Sequence, residues 1–217
     1  ATYKMLGQGE TEGVFQLESS GMKQVLVGLQ PQNLEDVIAL ISLYRPGPMD
    51  SIPTYLRNRH EPDKISYKTP QLAHILDVTN GCIVYQEQVM QIFRELAGFS
   101  FGQADNVRRA MSKKKHAVME AEREHFVHGC TEPGHECPGC VANGISEKVA
   151  NEIYDEMSSF ASYAFNKSHA ACYAYVAFQT AYLKCHYPSE FMAALLTSVL
   201  DNTDKVIEYS GECARLG

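Results

Sequence analysis

The stretch that decides the fold is FNKSHAACYAYVAFQTAYL, residues 165–183, where a short polar opening precedes a long apolar run. From Ala170 to Leu183, only Gln179 and Thr180 are strongly polar, apart from the tyrosine hydroxyls. A helix with so little polar surface is expected to be buried. The sequence therefore predicts a core helix whose first residues are held at the edge of that core.

The polar opening places Lys167, Ser168 and His169 at the N-terminus of this helix, with Asn166 as a candidate cap. The first N–H groups of a helix lack intrahelical partners and carry a partial positive charge. Together with the lysine and the imidazole, they suit phosphate or another anion. The alternative is a core helix with a polar cap and an incidental lysine. The residues alone leave both interpretations open.

A second stretch, residues 106–119, contains no acid although the whole chain has a net charge of −7. Its cationic and imidazole residues are Arg108, Arg109, Lys113, Lys114, Lys115 and His116. On a helix, Arg108 shares a face with Lys115, and Arg109 shares a face with Lys113. Arginine binds phosphate bidentately, and lysines add charge along a nucleic acid backbone. The alternative is a solvated helix face.

The length and composition are those of a globular protein with one or two domains. The chain has 217 residues, 45% of them hydrophobic, which is enough to bury a core. No apolar run reaches the roughly 18–20 residues that span a bilayer, so we expect no membrane partner. The start at Ala1 has no signal-peptide pattern, and both ends look cut, so we expect a piece of a longer protein.

The cysteines indicate a reducing environment. Their number is seven, and Cys82, Cys172, Cys185 and Cys213 stand singly in apolar or amphipathic contexts. An odd number of isolated cysteines fits free thiols in the cytoplasm better than a disulfide framework.

The apolar periodicity is helical over most of the chain. It predicts helices over 18–28, 33–44, 51–59, 70–77, 86–97, from 103 or 104, 116–127, 146–159, 166–184, 189–200 and from about 203. Asn33 is the expected cap of the second of these. Cys82–Tyr85 is the one convincing strand. The predicted fold class is mainly α, compact, with at most a short β-hairpin.

The loop over residues 128–142 carries a cluster of metal-ligand residue types. Cys137-Pro138-Gly139-Cys140 places two thiolates within reach of one tetrahedral ion. Cys130 would supply a third ligand, and His135 or His128 the fourth. Such a Zn²⁺ would be structural, because nothing indicates an open coordination position. The alternative is a polar loop with unliganded or redox-exposed cysteines.

Six segments together resemble a known family. They are GVFQLES (13–19), YRPGP (44–48), GCIVYQEQVM (81–90), RRAMSKKK (108–115), FNKSHAA (165–171) and HYPSEF (186–191). In this order they resemble the alpha subunits of bacterial DNA polymerase III, the class C replicative polymerases. The resemblance covers nearly the whole chain, and its exception is the Cys/His loop at 128–142.

The resemblance implies a fingers domain over residues 1–217, without the palm and C-terminal regions of the family. It implies a DNA-directed DNA polymerase, a nucleotidyltransferase, whose Mg²⁺-binding aspartates lie outside this chain. The chain alone is therefore expected to be inactive and to hold no catalytic residue. The implied partners are primer-template DNA, the incoming dNTP and, through regions outside this chain, the other polymerase holoenzyme subunits.

Carried over residue by residue, the resemblance implies that Arg108 and Arg109 meet the triphosphate. Lys167, Ser168 and His169 would line the same pocket, and Arg45 is a further candidate for it. Lys113, Lys114 and Lys115 would lie nearer the DNA backbone. We expect the 103–116 and 166–169 segments to converge in space.

Two other functions stay open. One is a non-enzymatic helical module that binds nucleic acid with the same basic helix. The other is a zinc-stabilised interaction domain in which residues 128–140 matter most and the basic stretch is only solvated.

Overall fold

The structure, a computed structural model, describes residues 1–113, 116–161 and 164–217. Over these ranges the fold is mainly α-helical, as the sequence predicts. The α-helices are α1 (Thr2–Gly7), α2 (Ser20–Leu29), α3 (Leu34–Leu43), α4 (Ile52–His60), α5 (Ala73–Leu76), α6 (Gln86–Ala97), α7 (Phe101–Ser112), α8 (His116–His128), α9 (Gly139–Ala142), α10 (Glu147–Ala161), α11 (Lys167–His186), α12 (Pro188–Ser198) and α13 (Thr203–Leu216). Short 3₁₀ turns lie at Pro48–Ser51, Pro62–Lys64, Pro70–Leu72 and Asp77–Thr79.

The chain divides into two compact units. We call Arg45–Lys167 the central unit, and Ala1–Tyr44 together with Ser168–Gly217 the terminal unit. No helix within the described ranges is both long enough and apolar enough to cross a membrane.

Local capping explains several helix boundaries. The Asn33 side chain accepts a hydrogen bond from the Asp36 N–H at 3.0 Å, which confirms the predicted cap of α3. The basic helix α7 begins at Phe101, earlier than predicted, because Ser100 and Gln103 form a reciprocal capping box. That box starts the helix directly after the Gly98 turn.

The predicted strand at Cys82–Tyr85 is wrong. Within the described ranges, Tyr85 makes only an isolated parallel bridge with Phe165. The physical reason is the Gln88 side chain, whose Oε1 accepts the N–H groups of both Val84 and Tyr85 at 2.9 Å. Because a side chain satisfies these main-chain donors, this segment needs no neighbouring strand.

The core of the central unit is built around three aromatic rings. Phe93 of α6, Phe126 of α8 and Tyr154 of α10 are fully buried. The centroid of the Phe93 ring lies 5.0 Å from that of Phe126 and 6.0 Å from that of Tyr154, distances typical of aromatic pairs. The Tyr154 hydroxyl donates to the Met119 carbonyl at 2.6 Å. This cluster fixes α6, whose first turn carries part of the candidate site.

In the terminal unit, α11 buries only one of its faces, which corrects the expectation of a wholly buried helix. Ala170, Ala174, Ala177 and Ala181 have no exposed surface. Large apolar side chains on the other face are 41–58% exposed, namely Tyr175, Val176, Tyr182 and Leu183. Small residues at a spacing of three and four let another element approach closely on one side. An apolar sequence without amphipathic bias does not reveal which face is covered.

A buried ion pair lies in the terminal unit at the end of α11. The Lys184 ammonium is 2.7 Å from a Glu212 carboxylate oxygen, and both side chains are less than 5% exposed. Lys184 also donates to the carbonyls of Glu10 and Glu12, at 3.1 and 2.8 Å. All three donors of this buried ammonium therefore have partners, as burial of a charge requires.

The segment at residues 13–19 is held by the same unit. Glu18 accepts hydrogen bonds from the Gly13 N–H at 2.7 Å and from the Tyr209 hydroxyl at 2.8 Å. Gly13 has a φ of +76°, and a β-carbon there would lie 2.3 Å from a Leu195 methyl group. Glycine is therefore required here both by its backbone conformation and by the close approach of α12.

Candidate functional site

Both adjacent arginines of α7 share one carboxylate. Arg108 Nε and Nη2 donate to Asp105 Oδ1 at 2.9 and 2.8 Å, and Arg109 Nη2 lies 2.6 Å from Asp105 Oδ2. The hydrogen bonds from Arg108, and then those from Arg109, hold the pKa of Asp105 below its usual range. Two guanidinium charges against one carboxylate leave this helical turn positive.

The two arginines differ in their surroundings. The Arg108 side chain is 21% exposed and lines a cleft of about 490 Å³ together with Glu87, Phe101 and Asn166. The Arg109 side chain is 65% exposed and lines a smaller cleft of about 250 Å³ with Lys113. Residues adjacent in sequence thus serve two neighbouring openings.

Gln86 joins the arginine helix to the segment that precedes α11. Its side-chain Oε1 accepts from Arg108 Nη1 at 3.0 Å, and its Nε2 donates to the Ala164 carbonyl at 3.0 Å. Its main-chain N–H donates to the Phe165 carbonyl at 2.9 Å. The structure therefore brings Arg108 and the start of the FNKSH motif to one cleft within the central unit.

Glu87 holds the first residues of that motif. Its two carboxylate oxygens each lie 3.2 Å from the Lys167 N–H, and Oε1 accepts from the Asn166 amide at 2.9 Å. A helix N-terminus attracts an anion, and here the chain supplies one itself. Sequence reasoning missed Glu87 because its partners lie about eighty residues away. The one available signal was its position inside the segment at residues 81–90.

Two further candidate cations lie over aromatic rings of the paired residues Tyr85 and Phe165. The Lys167 ammonium is 5.3 Å from the Tyr85 ring centroid. The Arg45 guanidinium carbon is 4.1 Å from the Phe165 ring centroid, and burial lowers the pKa of Arg45. Cation–π contacts at these distances orient both side chains. Arg45 and Lys167 therefore each contact one of the two residues, Phe165 and Tyr85, that form the isolated parallel bridge.

Ser168 and His169 belong to the terminal unit, where both are exposed. The His169 ring centroid lies 4.5 Å from that of Tyr173, one turn further along α11. Of the predicted DNA-backbone residues, Lys113 is exposed at the C-terminal end of α7. Lys114 and Lys115 lie outside the described residues.

The Cys/His loop does not form the expected zinc site. Cys130 and Cys137 exchange main-chain hydrogen bonds of 2.9 Å, and the Cys140 side chain packs into the apolar core, where burial raises its pKa to about 12. His135 is exposed. Throughout residues 1–113, 116–161 and 164–217, no group of three or more His, Cys, Asp or Glu side chains is arranged to hold a metal ion. The residues predicted to bind Zn²⁺, namely Cys130, Cys137, Cys140 and His135, are therefore not gathered as a ligand set.

The cysteines are otherwise as expected. All seven are free thiols.

Comparison with known proteins gives a consistent result. The family model of the bacterial DNA polymerase III alpha subunit finger domain matches residues 1–134. DNA polymerase III subunit alpha of Thermus aquaticus is 50% identical over 221 residues, which cover 100% of this chain and 17% of that protein. The subunit of Bacillus subtilis (strain 168) is 47% identical over 216 residues, which cover 100% of this chain and 18% of that protein. The subunit of Pasteurella multocida (strain Pm70) is 46% identical over 224 residues, which again cover 100% of this chain and 18% of that protein. The chain thus spans less than a fifth of the length of these relatives.

Proposed function

Because this chain belongs to the family of bacterial DNA polymerase III alpha subunit finger domains, we propose that it binds the triphosphate of an incoming dNTP and the nucleic acid backbone during template-directed DNA synthesis. The observation that carries this proposal is the turn of α7 in which Arg108 and Arg109 share the single carboxylate of Asp105. Such a turn is positive, and its guanidinium groups are held in place before any ligand arrives.

At Arg109, the charge balance favours exchange of the Asp105 carboxylate for phosphate. Nucleotidyl transfer spreads negative charge over phosphate oxygens, so fixed cations aimed at those oxygens stabilise the transition state. An exposed ion pair such as Arg109–Asp105 contributes only about 0–1 kcal/mol. A triphosphate carries several charges and binds a guanidinium bidentately, so it competes well with one carboxylate.

The two arginines suit different parts of the task. Arg108 is oriented from two sides, by Asp105 and by Gln86, and so presents a fixed direction. Arg109 is mostly exposed and has Lys113 one turn further along, which suits a ligand approaching from solvent. We therefore assign both arginines to the triphosphate.

The remaining candidates keep the roles implied by the family. Lys167 and Arg45 contribute to the nucleotide pocket, and Lys113, Lys114 and Lys115 contact the DNA backbone. The contact of Ser168 and His169 with the nucleotide stays a prediction. The aromatic contacts of Arg45 and Lys167 support a positioned role for these two.

In the complete enzyme, this region works as part of a DNA-directed DNA polymerase of the bacterial cytoplasm. Its substrates are primer-template DNA and dNTPs, and its partners are the other holoenzyme subunits. Mg²⁺ is held by ligands outside this chain, so the chain alone catalyses no nucleotidyl transfer.

The test compares two substitutions in the full-length polymerase. Arg109→Ala removes a charge-assisted contact, which contributes roughly 1.5–3 kcal/mol, so kcat/KM for the nucleotide falls by about one to two orders of magnitude. The dissociation constant for primer-template DNA changes little. Lys114→Ala does the reverse: DNA binding weakens with a shallower salt dependence, and the nucleotide KM stays nearly normal.

The opposite pattern supports the alternative function. If Arg109→Ala leaves nucleotide kinetics intact and weakens DNA binding, α7 is a backbone contact only. The chain would then act as a nucleic-acid-binding module.

A further inference from the structure

The first turn of α6 carries two consecutive residues that contact two different candidate segments. Gln86 contacts Arg108 of α7, and Glu87 contacts Asn166 and Lys167. We infer that Gln86 and Glu87 are a positioning pair, which sets the direction of Arg108 and the main chain at Lys167 for one bound nucleotide. This inference rests on the proposed function and deepens it.

The amide of Gln86 suits its two contacts. Its oxygen accepts from Arg108 Nη1 while its nitrogen donates to the Ala164 carbonyl, each at 3.0 Å. An amide carries an acceptor and a donor on one planar group. Arg108 is therefore held by Asp105 on its own helix and by Gln86 from another. Each Nη carries two hydrogens, so these contacts leave the guanidinium donor capacity for phosphate.

The carboxylate of Glu87 acts on the neighbouring segment. It spans the Asn166 amide and the Lys167 N–H, so it fixes the main chain at these two residues. An anion at this position also matches the positive end of the helix. Lys167, whose ammonium lies over the Tyr85 ring, leaves the main chain at the point that Glu87 holds.

The helix that carries this pair, α6, is packed into the core of the central unit. Val89, Ile92 and Phe93, on the next turns of α6, are fully buried. Gln88 is buried as well, and its amide donates to Thr79 Oγ1 at 2.7 Å and to the Ile75 carbonyl at 3.1 Å. Side chains on a fixed helix start hold their partners more precisely than side chains on a free loop. A small misplacement of binding groups has a large effect on reaction rate.

The experiment uses the full-length polymerase and measures KM and kcat for dNTP on a fixed primer-template, together with the dissociation constant for DNA. Gln86→Ala and Glu87→Ala are each expected to lower kcat/KM for dNTP about tenfold, mainly by raising KM. A tenfold effect corresponds to the loss of one hydrogen bond that involves a charged group. DNA affinity stays within about twofold of wild type.

Conservative and control variants make the test specific. Glu87→Gln keeps a side-chain oxygen that can accept from the Lys167 N–H. It should therefore retain most of the kcat/KM that Glu87→Ala loses. Asn151→Ala is the matched control, because the Asn151 amide also makes a side-chain hydrogen bond, donating to the Glu147 carbonyl at 3.0 Å, and this residue does not line the cleft. It should give wild-type values.

A double variant separates positioning from a merely structural role. If Gln86 acts through Arg108, Gln86→Ala has no further effect on KM in an Arg108→Ala background. Independent, additive losses would overturn the inference. A fall in kcat alone, with unchanged KM and a lower melting temperature, indicates loss of fold and also counts against it.

The inference and the proposed function fail differently. If Arg108→Ala raises the nucleotide KM but Gln86→Ala and Glu87→Ala behave like Asn151→Ala, the positioning pair is wrong and the proposed function stands. If Arg108→Ala and Arg109→Ala both leave nucleotide kinetics unchanged, the proposed function itself is wrong.

Discussion

Two buried sites, the aromatic centre of the central unit and an ionic centre in the terminal unit, are stabilised in different ways. At the centre of the central unit, Phe93, Phe126 and Tyr154 pack ring against ring inside an apolar cluster. In the terminal unit, an equally buried position holds the ammonium of Lys184 against the carboxylate of Glu212. The first arrangement depends on volume and shape, whereas the second depends on every charge keeping its partner.

This difference has a functional counterpart. The apolar centre gives α6 a fixed start, on which Gln86 and Glu87 reach the candidate site. The ionic centre ties α11 and α13 to the carbonyls of Glu10 and Glu12. The two centres should therefore respond differently to substitution and to pH.

The largest effect is expected from opening the aromatic centre. Phe93→Ala removes a fully buried ring and should lower the free energy of unfolding of the 217-residue chain by about 4 kcal/mol, through lost transfer energy and a cavity. Phe93→Leu keeps most of the volume and should cost less than about 1.5 kcal/mol. Urea denaturation followed by circular dichroism measures both. Equal losses for the two variants would mean that ring packing is not what stabilises this centre.

A somewhat smaller loss is expected from removing the buried ammonium. Lys184→Met leaves the Glu212 carboxylate buried with only Arg215 as its cation and should lower the free energy of unfolding by about 3 kcal/mol. Lys64→Met is the control, because its ion pair with Glu61 is exposed and should contribute about 0–1 kcal/mol. The same denaturation assay applies, and a loss below that of the control would contradict the ionic description.

Acid should weaken the terminal unit through Glu212. Hydrogen bonds from Arg215, and then from Lys184, lower the pKa of Glu212 to about 2. Because the folded pKa lies below the unfolded value of about 4.3, the stabilisation is complete above that value and is lost as the pH falls towards about 2. We expect a loss of about 2 kcal/mol across this window.

The Glu212→Gln variant isolates this contribution to the pH dependence. Between about pH 4.5 and 2, the free energy of unfolding of wild type should fall by about 2 kcal/mol more than that of Glu212→Gln. Parallel pH profiles for the two proteins would exclude Glu212 as the group responsible.

The smallest effect concerns the single polar atom of the aromatic centre. Tyr154→Phe removes the hydroxyl that donates to the Met119 carbonyl at 2.6 Å and should cost about 1 kcal/mol. Tyr175→Phe, on the exposed face of α11, should stay within about 0.5 kcal/mol of wild type. Thermal unfolding of the two variants side by side is sufficient, and a larger shift for Tyr175→Phe would reverse the assignment.

The helical elements could be predicted because their signals are local. The Asn33 cap, the apolar period of α6 and the proline at the start of α12 each act within a few residues of the boundary they set. The strand predicted at Cys82–Tyr85 failed for a different reason. Its apolar pattern was genuine, but the Gln88 side chain had already satisfied the donors that a neighbouring strand would use.

The sequence by itself determined a mainly helical fold, the arginine pair of α7 and the family to which six ordered segments belong. These follow from periodicity, charge and motif order, which are properties of neighbouring residues. Only the tertiary structure decided that Glu87 meets Lys167, that Gln86 meets Arg108, and that Cys140 packs into the core without a metal cluster. It also decided which face of α11 is buried. Each of these depends on contacts between distant parts of the chain, and such contacts leave no periodic or local signal in a single sequence.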